Sequence, residues 1–129
     1  MQKRIIAVPS KAPGGLKAQR SGHFGHCEFF TLVEVGDGVI GNVSVVDNAP
    51  HREGGCLAPV DLLASLGATE IVVSGLGARP LAFFEEKGIT VYVDQHLPTV
   101  EDVVDAHLKG AVPVMSGMHV CGGGGGGCH

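Results

Sequence analysis

The sequence lacks any run approaching the roughly 18 consecutive apolar residues that a membrane-spanning helix needs. It lacks a basic stripe as well: Lys3, Arg4, Lys11, Lys17, Arg20, Arg52, Arg79, Lys87 and Lys109 are scattered along a chain of formal charge −4, so nucleic acid is not an expected partner. Asp47, Asp61, Asp94, Asp102 and Asp105 are too dispersed for a paired-carboxylate catalyst. No Gly-x-Ser-x-Gly elbow and no Walker A motif occurs, which leaves nucleophilic hydrolysis and phosphate-loop chemistry without a carrier. Lys3 and Arg4 precede the short apolar stretch Ile5 to Val8, but Pro9 interrupts it before a signal-peptide core is complete, so a first strand and a cytoplasmic location are expected.

What is present is one domain's worth of chain: 129 residues, 44% hydrophobic and 17% charged, with 21 glycines, a composition suited to a compact β-rich fold and not to disorder. The expected elements begin with a strand over Arg4 to Val8. A Gly, Pro and Ser-rich stretch from Pro9 to Gly25 follows, too long for a tight turn and therefore a working loop or a disordered one. Glu28 to Val35 and Val39 to Val46 flank Gly36-Asp37-Gly38, the signal of an antiparallel hairpin. Leu57, Val60, Leu63 and Leu66 mark one helix face that stops at Gly67. Glu70 to Ser74, Pro80 to Lys87 and Ile89 to Val93 then read as a βαβ unit with parallel strands. Thr99 caps a last helix that reaches Lys109, and beyond Pro113 the chain no longer reads as domain-like.

The order βββαβαβα implies a mixed five-stranded α/β sheet with helices on its faces. If the second strand alone runs against the other four, the loops leaving those four and the loop entering the second share one rim. Ligands of α/β sheets sit beyond the carboxyl ends of the strands. The division expected is a domain over residues 1–115 and a flexible Gly-rich tail over 116–129.

Two thiol and imidazole constellations stand out. In the tail, His119, Cys121, Cys128 and His129 fall within eleven residues and enclose six consecutive glycines. Such ligands select soft or borderline metals over Mg or Ca. The spacer is too long for a rigid zinc knuckle, so the alternatives are a transient or partner-completed metal site and a linker with two solvated thiols. In the first long loop, Arg20-Ser21-Gly22-His23-Phe24-Gly25-His26-Cys27 places metal ligands beside a cation, a hydroxyl and glycine amides that would surround an anionic cluster. A turn with surface His and a half-buried Cys is its plainer reading.

His51 and Cys56 precede a helix start, where a thiol is either activated or structural. Gly75-Leu76-Gly77-Ala78-Arg79-Pro80 follows a strand and opens a helix, but Pro80 stands where a dinucleotide loop needs its third glycine, so an anion pocket is expected there and a nucleotide is not. The four cysteines favour reduced thiolates for metal or redox work, with two disulfides as the alternative.

With Ser21-Gly22-His23-Phe24-Gly25, the apolar strand Phe29 to Val35, Cys56 with its helix, and Ser74-Gly75-Leu76-Gly77 laid out, the chain resembles the dinitrogenase iron-molybdenum cofactor biosynthesis family. That family comprises NifX-like, NifB C-terminal-like and orange-protein-like domains. The likeness spans most of residues 4 to 110 and leaves the tail outside. It implies a ribonuclease-H-like fold without that fold's metal-binding carboxylates. The implied role is to hold a metal-sulfur cluster, or its precursor, during assembly or transfer. Iron, molybdenum and, as a further option, copper are the expected metals. Cofactor-assembly proteins or ATP-dependent iron-sulfur carriers are the expected partners, and a monomer or weak homodimer the expected state. Arg20, Ser21, Gly22, His23, Gly25, His26, Gly75, Gly77 and Arg79 are the expected cluster-binding residues. His23, His26, Cys27, His51, Cys56, His119, Cys121, Cys128 and His129 are the expected metal ligands. No catalytic residue is expected. A thiol redox sensor and, more weakly, a nucleotide-dependent enzyme using Gly75 to Arg79 are the competing readings.

Overall fold

The computed structural model describes residues 3–12, 14–21, 29–47, 57–76 and 78–115. The elements come in the expected order: β1 Lys3–Ser10, β2 Phe29–Gly36, β3 Val39–Asp47, α1 Leu57–Ser65, β4 Glu70–Val73, α2 Ala78–Glu86, β5 Thr90–Val93 and α3 Val100–Leu108. They build one sheet in the order β3-β2-β1-β4-β5. β2 runs antiparallel to β1 and to β3, whereas β4 is parallel to β1 and to β5.

Side-chain alternation divides the core in two. Ala7, Phe30, Leu32, Ile71, Val73 and Val91 face α1 and α2, where Val60, Leu63, Leu81 and Phe84 complete one cluster. Ile6, Val8, Val33, Val35 and Val72 face α3, which presents Val100, Val103 and Val104. Those α3 positions recur three and four residues apart, and His107 continues the same buried stripe. Thr99 caps α3 as expected, its side chain accepting from Asp102 N at 3.2 Å. Each helix stops at a glycine of positive φ: Gly67, Gly88 and Gly110. In each case the next residue's amide reaches back five residues, Ala68 to Leu63, Ile89 to Phe84 and Ala111 to Ala106, closing the helix with a Schellman turn.

Three sequence expectations change. Pro9 does not end β1: the strand runs to Ser10, because Pro9 lies beyond the last β1–β4 pair, where its missing N–H takes no bond from β4 and its carbonyl still accepts from Ser21 N. Leu66 is not on the buried helix face; it lies past the end of α1 and is an exposed hydrophobic. The chain also remains part of the domain beyond Pro113. Val93 N donates to Pro113 O, Met115 N donates to Val91 O, Val114 bridges Tyr92, and Met115 is buried. This short segment satisfies the outer edge of β5, which would otherwise leave backbone groups unpaired.

Candidate functional site: the carboxyl rim of the sheet

Since β1, β3, β4 and β5 share a direction and β2 opposes them, Ser10, Asp47, Val73 and Val93 end, and Phe29 begins, at one rim. That is the arrangement expected from the element order. The chain leaving β1 crosses to the α3 face, where Leu16 packs, while the chain leaving β4 goes to α2 on the other face. Two adjacent parallel strands whose connections depart to opposite faces leave a crevice between their carboxyl ends, the usual ligand position in α/β sheets.

The first loop, open in the sequence to being ordered or disordered, is pinned over residues 11–21 in its described part. Lys11 N donates to Gln19 O and Ser21 N to Pro9 O, at 2.9 and 2.7 Å, so that 19–21 doubles back beside the end of β1. Its other side is held by α3 and the preceding turn: Arg20 N donates to Pro98 O, Val100 N to Ala18 O, and Glu101 N to Leu16 O. Two free amides at the start of α3 are thereby satisfied. Gly15 N donates to Thr31 Oγ1 at 3.0 Å, and Gly14, at φ +79, passes so close to β3 that a Cβ there would stand 2.5 Å from Val45 Cγ1.

Arg20 is thus delivered to the rim, where Nη1 donates to Asp94 Oδ2 at 2.9 Å. Asp94 directly follows β5, so the pair reaches from the β1 loop to the end of β5 across the mouth of β4, two strand spacings or about 10 Å of sheet. The partners are 7% and 15% exposed. Asp94 Oδ2 also accepts from His96 N at 3.1 Å and Leu97 N at 2.9 Å. Burial pushes the guanidinium below its ordinary pKa, against the opposing pull of Asp94. Arg20 Nη2 is buried and has no hydrogen-bond partner among the described residues. Below the pair, Gln95 Nε2 donates to Ser74 O at 2.9 Å and ties the β5 loop to the β4 loop.

Of the residues singled out from the sequence, Arg20 and Ser21 lie in this pinned loop, Ser21 buried. Gly75 follows β4 half-buried, and Arg79 is exposed in the first turn of α2. No described contact joins Arg79 to Arg20. Gly22, His23, Gly25, His26, Cys27, His51, Cys56, Gly77, His119, Cys121, Cys128 and His129 lie outside the described residues. Among the described residues no group of three or more His, Cys, Asp or Glu side chains is placed to hold a metal ion. Asp94 belongs to no motif of the sequence, where it is one of several dispersed carboxylates. Its one legible signal was its position immediately after a strand that ends at the rim.

Fold and rim together define an α/β domain whose candidate site lies at the carboxyl rim of its sheet. Residues 2–110 match the model of the dinitrogenase iron-molybdenum cofactor family, and the chain belongs to that family. An uncharacterised protein of Methanocaldococcus jannaschii is 29% identical over 92 residues, 70% of this chain and 77% of that one. The apo form of the orange protein from Desulfovibrio gigas superposes with a TM-score of 0.78 at 26% identity, covering 88% of this chain and 94% of its own. A Thermotoga protein described as a candidate NifB gives 0.72 at 26% identity over 86% of this chain and 92% of its own. Among the described residues no helix is long and apolar enough to cross a membrane.

Proposed function

We propose that the protein binds and carries an anionic metal-sulfur cluster containing iron, molybdenum or both, or a precursor of one, during cofactor assembly or transfer, and does not turn over a substrate. The observation that carries this reading is the strand directions. β2 begins and β3 ends on the rim, and in the sequence His23, His26 and Cys27 precede β2 while His51 and Cys56 follow β3. Thiolate and imidazole suit soft metals, and a buried guanidinium with an unused donor suits an anionic cargo. Membership of the iron-molybdenum cofactor family agrees with such a cargo. The thiols and imidazoles of residues 116–129 acquire or hand on metal, the protein works in the cytoplasm, and its partners are cofactor-assembly proteins or ATP-dependent iron-sulfur carriers.

The test is anaerobic purification followed by a visible spectrum and elemental analysis. Charge-transfer bands with stoichiometric iron, molybdenum or copper, lost when an apo acceptor is added, are expected. A colourless, metal-free protein that changes only its thiol count with redox poise would replace the carrier with a sensor.

A further inference from the structure

Arg20 holds a two-armed donor of which one arm is used. Nη1 is bound to Asp94, whereas Nη2 is buried and unpartnered among the described residues. The side chain is 7% exposed. A buried donor without an acceptor is costly, and a guanidinium cannot escape the cost by losing its proton. A pair serving stability alone would gain by turning both arms to the carboxylate, as Arg4 does: its Nε and Nη2 meet Glu70 Oε2 and Oε1 at 2.7 and 2.6 Å. At Asp94 the loop competes, because the His96 and Leu97 amides converge on the same Oδ2 that Arg20 uses. The carboxylate is fixed by its own turn, and it holds the guanidinium by one arm at the carboxyl rim of the sheet.

Resting on the carrier reading, we infer that Arg20 Nη2 is the anchoring donor for a terminal oxygen or sulfur atom of the anionic cargo. Asp94 is the positioning residue that aims it and offsets its charge. Grip then comes from a directed hydrogen bond within a formally neutral pair, so cargo is held in register yet released without separating a bare ion pair.

The charge relation gives opposite signs for two conservative variants. Asp94→Asn keeps an oxygen acceptor for Nη1 and for the loop amides but exposes the arginine's full charge. Anion binding should tighten about tenfold and become more salt-dependent. Arg20→Lys keeps the charge and a partner for Asp94 but has no second arm, so binding should weaken about tenfold or more. Molybdate and tetrathiomolybdate would be titrated anaerobically into full-length protein by calorimetry, with sulfate as a control and thermal melts to verify folding. Arg20→Lys binding as tightly as wild type, Asp94→Asn binding more weakly, or no probe binding to wild type would each overturn the inference. Equal cluster loading of wild type and Arg20→Lys would do so while leaving the carrier reading intact. Arg20-dependent molybdate binding by a protein that never accumulates a cluster would refute the carrier reading and leave Arg20 as an anion anchor.

Discussion

His107 Nε2 lies 2.6 Å from Glu70 Oε1 at the pole of the sheet opposite the rim. An ionised carboxylate can only accept, so the ring donates through Nε2, and the 3.3 Å approach of Arg4 Nη2 to that nitrogen is a contact between two donors. Tyr92 packs edge-on against the same ring, centroids 4.2 Å apart. The cluster fastens α3 to the starts of β1 and β4.

Acid stability should report on this cluster. Burial alone would raise the Glu70 pKa, but the hydrogen bonds from Arg4 and His107, with their charges, outweigh it and bring it from 4.5 to about 2. A depressed carboxylate stabilises the fold above its unfolded pKa and loses that contribution as pH falls from there toward the folded value. By pH 3 the loss should reach about 2 kcal/mol. Urea denaturation of wild type and Glu70→Gln between pH 7 and 3 measures it. The gap between them should shrink with acid, and a constant gap would mean that Glu70 is not ionised in the fold.

Gly14 should prove sensitive for two separable reasons. Its φ of +79 penalises any side chain, and a Cβ would meet Val45 Cγ1 at 2.5 Å. Gly14→Ala should cost about 2–4 kcal/mol, combining backbone strain of about 1 kcal/mol with overpacking. In a Val45→Ala background the overpacking should vanish, leaving a coupling of about 1–3 kcal/mol in a double-mutant cycle. Additive costs would place the loop elsewhere than over β3.

How far the sequence discloses this molecule depends on the range of each signal. Hairpin, helix stops and the parallel βαβ unit are written in neighbouring residues: Asp37 at φ 54 and Gly38 at φ 78 make the turn the motif announces, and Thr99 caps where expected. The rim followed from those elements. What stayed hidden depends on partners far along the chain. Pro9 is tolerated because of where β4 stops pairing, 113–115 are ordered by the edge of β5, and Asp94 gains its role from an arginine 74 residues away. The remaining metal-ligand expectations fall on residues outside those described.

The tail is proposed to serve transfer and not the rim. Deleting Met118 to His129 should leave the melting temperature and rim-bound metal unchanged while slowing metal acquisition or delivery to an apo acceptor, and Cys121→Ser/Cys128→Ser should behave alike. Because ligating thiols must be deprotonated, uptake by the arm should strengthen as pH rises toward the thiol pKa. Equal transfer rates for all three proteins would reduce the arm to a linker.

The most direct test of the rim as the cargo site is metal content per folded protein after anaerobic reconstitution with iron, molybdate and sulfide. Wild type would be compared with His23→Ala/His26→Ala and with the tail deletion. The double histidine variant should keep its melting temperature, since loop substitutions away from the core change stability little, yet lose most of its metal and colour, while the tail deletion retains both. Full metal retention by the histidine variant, with complete loss on deleting the tail, would contradict the account and move the cargo from the rim to the arm.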